Sequence, residues 1–261
     1  MRRAARWLSI GCVVVAGAAY GKPCGDDVDG RDVPCACGDV VVSDVRLADD
    51  PVTTDVCPSD GLVVRARPGA RGPLRVDLGG RTLRGSGRGH GLWVIAGGPG
   101  GAVIESTGGV AVLQDFGDGV VAIGGDALAA ARDLRIERPR HAGVRVQGRG
   151  WSLAGVSVTD AGGDGFVLGG ADFRLDGTRA LRSRGRGYVV AGRHGVLGGA
   201  EGVVAEGSGG EGVAIAGHGH RLERCDVAQS GRRDVRVTGR DLTVGECAPA
   251  VARRRPRKGR S

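Results

Sequence analysis

The sequence predicts an all-β fold, a single-stranded parallel β-helix of about eight coils, each coil a set of short strands joined by tight turns. Composition is the first of three observations behind this. Of 261 residues, 52 are Gly and only eight are Phe, Trp or Tyr, while 41% are apolar. Gly weakens helix interiors and serves tight turns, and its frequency without a three-residue period excludes collagen. The apolar fraction is too high for a wholly disordered chain. The second observation is a repeat: Gly143-Val-Arg-Val, Gly165-Phe-Val-Leu, Gly187-Tyr-Val-Val, Gly212-Val-Ala-Ile and Asp234-Val-Arg-Val follow one another at steps of 22, 22, 25 and 22 residues. The third is that the register persists beyond these starts. Ten residues on stand Leu153, Leu175, Leu197, Leu222 and Val244, and three residues on stand Val146, Leu168, Val190, Ile215 and Val237.

Strand alternation then turns Val144, Phe166, Tyr188, Val213 and Val235 inward as well. No single coil can bury its apolar face, so coils must stack at about the 4.8 Å strand spacing. A propeller blade needs about 40 residues, and sandwich strands lack a constant register. Less regular copies begin at Gly61, Gly91 and Gly119, which sets the β-helix at residues 61–247.

Residues 1–21 carry Arg2, Arg3 and Arg6, then an apolar run closing on Ala16-Gly17-Ala18, the three zones of a secretory signal peptide. Residues 22–60 form a Cys-rich N-terminal cap, and residues 248–261 a basic, disordered tail. Leader and tail together account for the formal charge of +8, and the span between them is close to neutral. That distribution argues against a specific nucleic-acid partner. No later segment is long and apolar enough to cross a membrane.

Leader removal takes Cys12 and leaves an even set of cysteines, which in an exported chain favours disulfides. Cys225 and Cys247 both lie thirteen residues into adjacent coils, so stacking brings them within bonding range. Cys37 with Cys57 closes the first turn of the body and leaves Cys24 with Cys35, one among the many pairings that these cysteines allow. The residues preceding each start, Asp164, Arg186, Glu211 and Arg233, predict a file of alternating charge.

These repeats, together with Cys37-Gly-Asp-Val through Cys57, Gly61-Leu-Val-Val, Val76-Asp-Leu-Gly-Gly-Arg-Thr-Leu and Gly85-Ser-Gly-Arg-Gly-His-Gly-Leu, resemble the pectate-lyase-like, right-handed parallel β-helix superfamily in its exported bacterial form. The resemblance covers about residues 37–247 and implies a right-handed coil. For activity it implies only a range, from lyases, epimerases and hydrolases to proteins with no reaction.

Pectate-lyase-like enzymes bind acidic polysaccharide on an outer strand face with clustered carboxylates, and calcium is the cofactor only on that reading. The outward first-strand positions here are Trp93, Val121, Arg145, Val167, Val189, Ala214 and Arg236, with no carboxylate among them. Arg145, Val167, Val189, Ala214 and Arg236 are therefore the candidate binding face, for a polysaccharide, an envelope protein or a second copy of the chain, and the oligomeric state stays open. Catalytic acids would have to come from turns, at Asp160, Asp164, Asp172 and Asp176. Seven residues into successive coils, Asp172 and His194, with His218 and His220 nearby, are the candidate metal ligands. No nucleophile elbow, phosphate loop or zinc-protease motif is present. The expected function is a non-catalytic protein of the cell envelope or surface, secreted or periplasmic, binding along one strand face. The alternative is a polysaccharide lyase, epimerase or hydrolase.

Overall fold

The computed structural model describes residues 21–65, 72–95, 101–124 and 127–249. The chain winds into an all-β parallel solenoid of about eight turns. The leader and basic tail read from the sequence lie, but for Gly21 and the strand end Ala248–Pro249, outside the described residues.

Each regular coil contributes to three parallel ladders. Val144–Arg149, Phe166–Ala171, Tyr188–Arg193, Val213–His218 and Val235–Arg240 stack in the first. Ser152–Ala154, Arg174–Asp176 and Val196–Leu197 belong to the second, and Ser157–Thr159, Thr178–Leu181 and Val203–Glu206 to the third. The strand Arg221–Ala228 runs unbroken through the second and third.

The repeat positions meet inside the coil. Val144, Phe166, Tyr188 and Val213 are buried, as are Leu153, Leu175, Leu197 and Leu222. Phe166 and Tyr188, register partners one coil apart, stack with ring centroids at 4.7 Å. Stacking places like side chains on like, which is how an in-register solenoid builds a continuous core from short strands.

The corners turn through left-handed backbone, mostly at residues other than Gly. After the first ladder Asp172, His194, Gly219 and Asp241 have φ of 56°, 55°, 65° and 52°, and after the third Asp160, Arg182, Gly207 and Gln229 have 57°, 54°, 69° and 56°. Only Gly enters this left-handed region freely, and Asp or Asn tolerates it better than other side chains do. Arg182 holds such a corner while giving the Asp160 carboxylate two hydrogen bonds, at 2.7 and 2.9 Å.

The ladder starts earlier than Gly61. Pro23–Cys24 pairs with Val40–Val41, which pairs in turn with Leu62–Arg65, so the cap is itself part of the stack. Cys24–Cys35 and Cys37–Cys57 are disulfide-bonded, each with Cα atoms 5.2 Å apart. Cys225 and Cys247 are register partners and form the third bond at a Cα separation of 4.4 Å.

Two expectations fail, one at the C-terminal end of the described stack and one inside it. Val235 and Val237 are half-exposed, and Val244 is 48% exposed although its register is that of the core. Among the described residues no coil stacks beyond them, so they are covered on one side only. Val121, expected outward and open, is buried, as is Val63. Both flank the large side chain of Trp93 in the ladder.

Candidate functional site

Arg145, Val167, Val189, Ala214 and Arg236 form one outward file of the first ladder, all but Arg236 half-buried. Its ends are held by ion pairs, Arg145 to Asp118 and Arg236 to Glu211, each at 3.6 Å. The expected charge file stacks in order through Asp164, Arg186, Glu211 and Arg233. Asp164 bonds Arg186, accepting its backbone N–H at 2.7 Å and its Nη2 at 3.2 Å, while the ion pair of Glu211 is with Arg236 and not with Arg233.

Further along the same strands a second file stands out: Arg149, Ala171, Arg193, His218 and Arg240. Just before it the backbone bends at Gly170, Gly192, Gly217 and Gly239, with φ between 111° and 139°. The bend opens a shallow trough of about 530 Å³, floored by Gly148, Gly170, Gly192 and Gly217 and walled by Arg149, Ala171, Arg193 and His218. Arg149 bonds Asp172, whereas Arg193 and Arg240 have no acidic partner among the described residues.

At the adjoining corner Asp172 accepts a hydrogen bond from Arg149 Nε at 2.9 Å and lies 3.4 Å from His194 Nδ1. The hydrogen bond from Arg149 is the main influence holding its carboxyl below the usual range. One step up the stack His218 Nδ1 is 3.3 Å from Asp241, and the two imidazole centroids are 5.8 Å apart.

His220 does not join them. It is 1% exposed, inside the coil, 5.6 Å from the ring of Phe173, which stacks on Trp151 at 4.5 Å. Its Nδ1 accepts the N–H of Gly195 at 3.0 Å, so the ring hydrogen sits on Nε2, which makes no well-formed hydrogen bond and only weak contacts with the Gly192 and Ala216 carbonyls. Removing His220 from the expected metal set leaves no group of three or more His, Cys, Asp or Glu arranged to hold a metal among the described residues.

Burial lowers the His220 pKa below its ordinary 6.5, against weaker opposing contacts with the Gly192 and Ala216 carbonyls, while His194 and His218 lower it further. The unfolded chain therefore takes up a proton that the folded one resists. Stability from this site is complete above pH 6.5 and falls as the pH drops below it toward the depressed folded value. Urea midpoints measured against pH should show this acid limb, and His220→Gln, which cannot titrate, should flatten it. An identical limb in the variant would assign the effect to other groups.

The four candidate acids do not converge. Asp160 is bound to Arg182, whose hydrogen bond lowers its pKa, and Asp164 to Arg186. Asp172 serves Arg149, and Asp176 accepts the backbone N–H groups of Ala200 at 3.2 Å and Glu201 at 2.9 Å. These are turn acceptors and counter-ions, each engaged with a guanidinium or with backbone N–H groups.

The trough file was readable in the chain, because Arg149, Ala171, Arg193, His218 and Arg240 all lie six residues into their coils. So was the aromatic file Trp151, Phe173, Gly195 and His220, at eight residues. Neither is uniformly apolar, which is why a search for recurring hydrophobic positions passes over them. Among the described residues no helix is long and apolar enough to cross a membrane, and the three disulfides are chemistry of an oxidising compartment. No family model matches the chain, and no curated protein or solved structure matches it.

Proposed function

We propose that this is an exported, non-catalytic β-solenoid of the cell envelope or surface that holds an extended acidic glycan along the outward face of the first ladder. The pectate-lyase-like superfamily is the proposed kinship. The observation that carries the reading is the glycine-floored trough beside the Arg145-to-Arg236 file, with Arg149, Arg193 and Arg240 at every second coil. That spacing is about 9.6 Å, twice the strand separation. Guanidinium groups at a regular interval suit a linear polymer with regularly spaced anions, since each can form paired hydrogen bonds to a carboxylate or sulfate. A folded protein partner would meet a trough with few apolar anchors. The enzymatic alternative rests on Asp160, Asp164, Asp172 and Asp176, and their engagement with arginines and backbone favours binding over reaction.

Affinity electrophoresis through gels containing acidic polysaccharides tests this. Retardation of the wild type, and its loss in Arg193→Glu, is the expected outcome, with about tenfold weaker binding or more. Equal mobility of both proteins in every acidic gel would refute it. Growth of unsaturated-product absorbance on the same polymers would favour the lyase.

A further inference from the structure

We propose that His194 and His218 form a two-imidazole site for a divalent transition-metal ion, zinc or copper, at the corner beside the trough. Four side chains stand in order up the stack, one per coil: Asp172, His194, His218 and Asp241. The outer carboxylates take the Nδ1 sides of the rings, at 3.4 Å for His194 and 3.3 Å for His218. A carboxylate at Nδ1 fixes the tautomer with its hydrogen there and leaves the lone pair on Nε2. The two ring nitrogens point in divergent directions. With Asp172 below one ring and Asp241 above the other, both Nε2 atoms are left on the sides turned away from the carboxylates.

Packing on the corner agrees. The Cδ2–Nε2 edge of His194 lies over Gly219, one coil further on, so closely that a Cβ there would stand 2.6 Å from Cδ2. This turns the ring toward the coil that carries His218. Two imidazoles bound to one tetrahedral ion at about 2.1 Å have centroids about 5 Å apart. The observed 5.8 Å is close to that, and both side chains are more than half exposed, so small rotations complete the approach.

Imidazole selects zinc, copper or nickel over calcium and magnesium, which prefer oxygen. Two protein ligands leave the remaining positions to water or to a ligand atom, as in an open site and unlike a closed structural one. Asp172 and Asp241 supply compensating negative charge, while Arg149, Arg193 and Arg240 nearby oppose a cation. Micromolar affinity is the expected balance. The site needs no glycan in the trough, so it stands or falls separately from the proposed function.

The test is calorimetric titration of the tag-free full chain with zinc and copper near neutral pH, joined to electron paramagnetic resonance of the copper form. One equivalent should bind, with a copper spectrum showing nitrogen ligation. His194→Asn, which suits the left-handed corner, and His218→Gln should each weaken binding about tenfold or more. Asp172→Asn and Asp241→Asn should weaken it about tenfold through loss of the compensating negative charge beside each ring. His90→Gln and His141→Gln should leave it unchanged, and melting curves check that every variant is folded. No heat below millimolar metal, or undiminished binding in the folded His194→Asn/His218→Gln protein, would overturn the proposal.

Discussion

Gly192→Ala is expected to remove about 4 kcal/mol or more of stability, placing it among the most damaging single substitutions in the chain. Two causes act together. The residue has φ of 117°, outside what an L side chain adopts, and an added Cβ would stand 2.0 Å from the Gly170 carbonyl oxygen of the preceding coil. That oxygen belongs to a ladder held on both sides, so it cannot yield as a flexible side chain would. The same collision recurs at Gly170 against Gly148 and at Gly217 against Gly192, at 1.6 and 2.0 Å. The trough floor is thus bare backbone by necessity. Gly155→Ala supplies the contrast, because with φ of 61° and its nearest neighbour at 3.0 Å it should cost only about 1–2 kcal/mol. Urea denaturation of the two variants measures the difference, and similar losses would show that the close approach is not the cause.

Phe173→Ala is expected to cost about 3–5 kcal/mol by leaving a cavity in the core. Phe173 is 2% exposed, lies face to face with Trp151 and extends over Gly195, where a Cβ would come within 2.2 Å of its ring. The coil carrying Gly195 therefore lends its side-chain space to the aromatic ring below. Gly195→Ala should accordingly destabilise the wild type and be much better tolerated alongside Phe173→Ala, a coupling that a double-mutant cycle reads directly. Additive losses would contradict this packing.

The parts of the molecule that repeat an apolar residue at a constant offset were legible in the chain. Leu153, Leu175, Leu197 and Leu222 fix the second ladder and Val144, Phe166, Tyr188 and Val213 the first, while the thirteen-residue offset joins Cys225 to Cys247. What escaped has physical reasons. His220 occupies the same file as Trp151 and Phe173, and an imidazole serves equally on a wet corner or inside a stack, so its type did not fix its side. Asp160, Asp172 and His194 looked like chemistry, yet their left-handed φ values show that they also hold corners. Val235, Val237 and Val244 obey the repeat but have no following coil among the described residues, and a local pattern does not tell how many neighbours a coil has.

The one-sided burial of the last described coil changes how the face beneath it should be understood. In a stack where each turn is secured only by its neighbours, opening begins at a free end and proceeds inward like a zip. Arg236 and Arg240 ride on this terminal turn, whereas Arg149 and Arg193 sit on interior ones with a neighbour on either side. A chain lying across all of them would bind a fixed segment and a fraying one at once, and in doing so would clasp the end shut. The covalent link from Cys225 to Cys247 makes such a clasp permanently from another wall of the coil, at the last described turn of the solenoid.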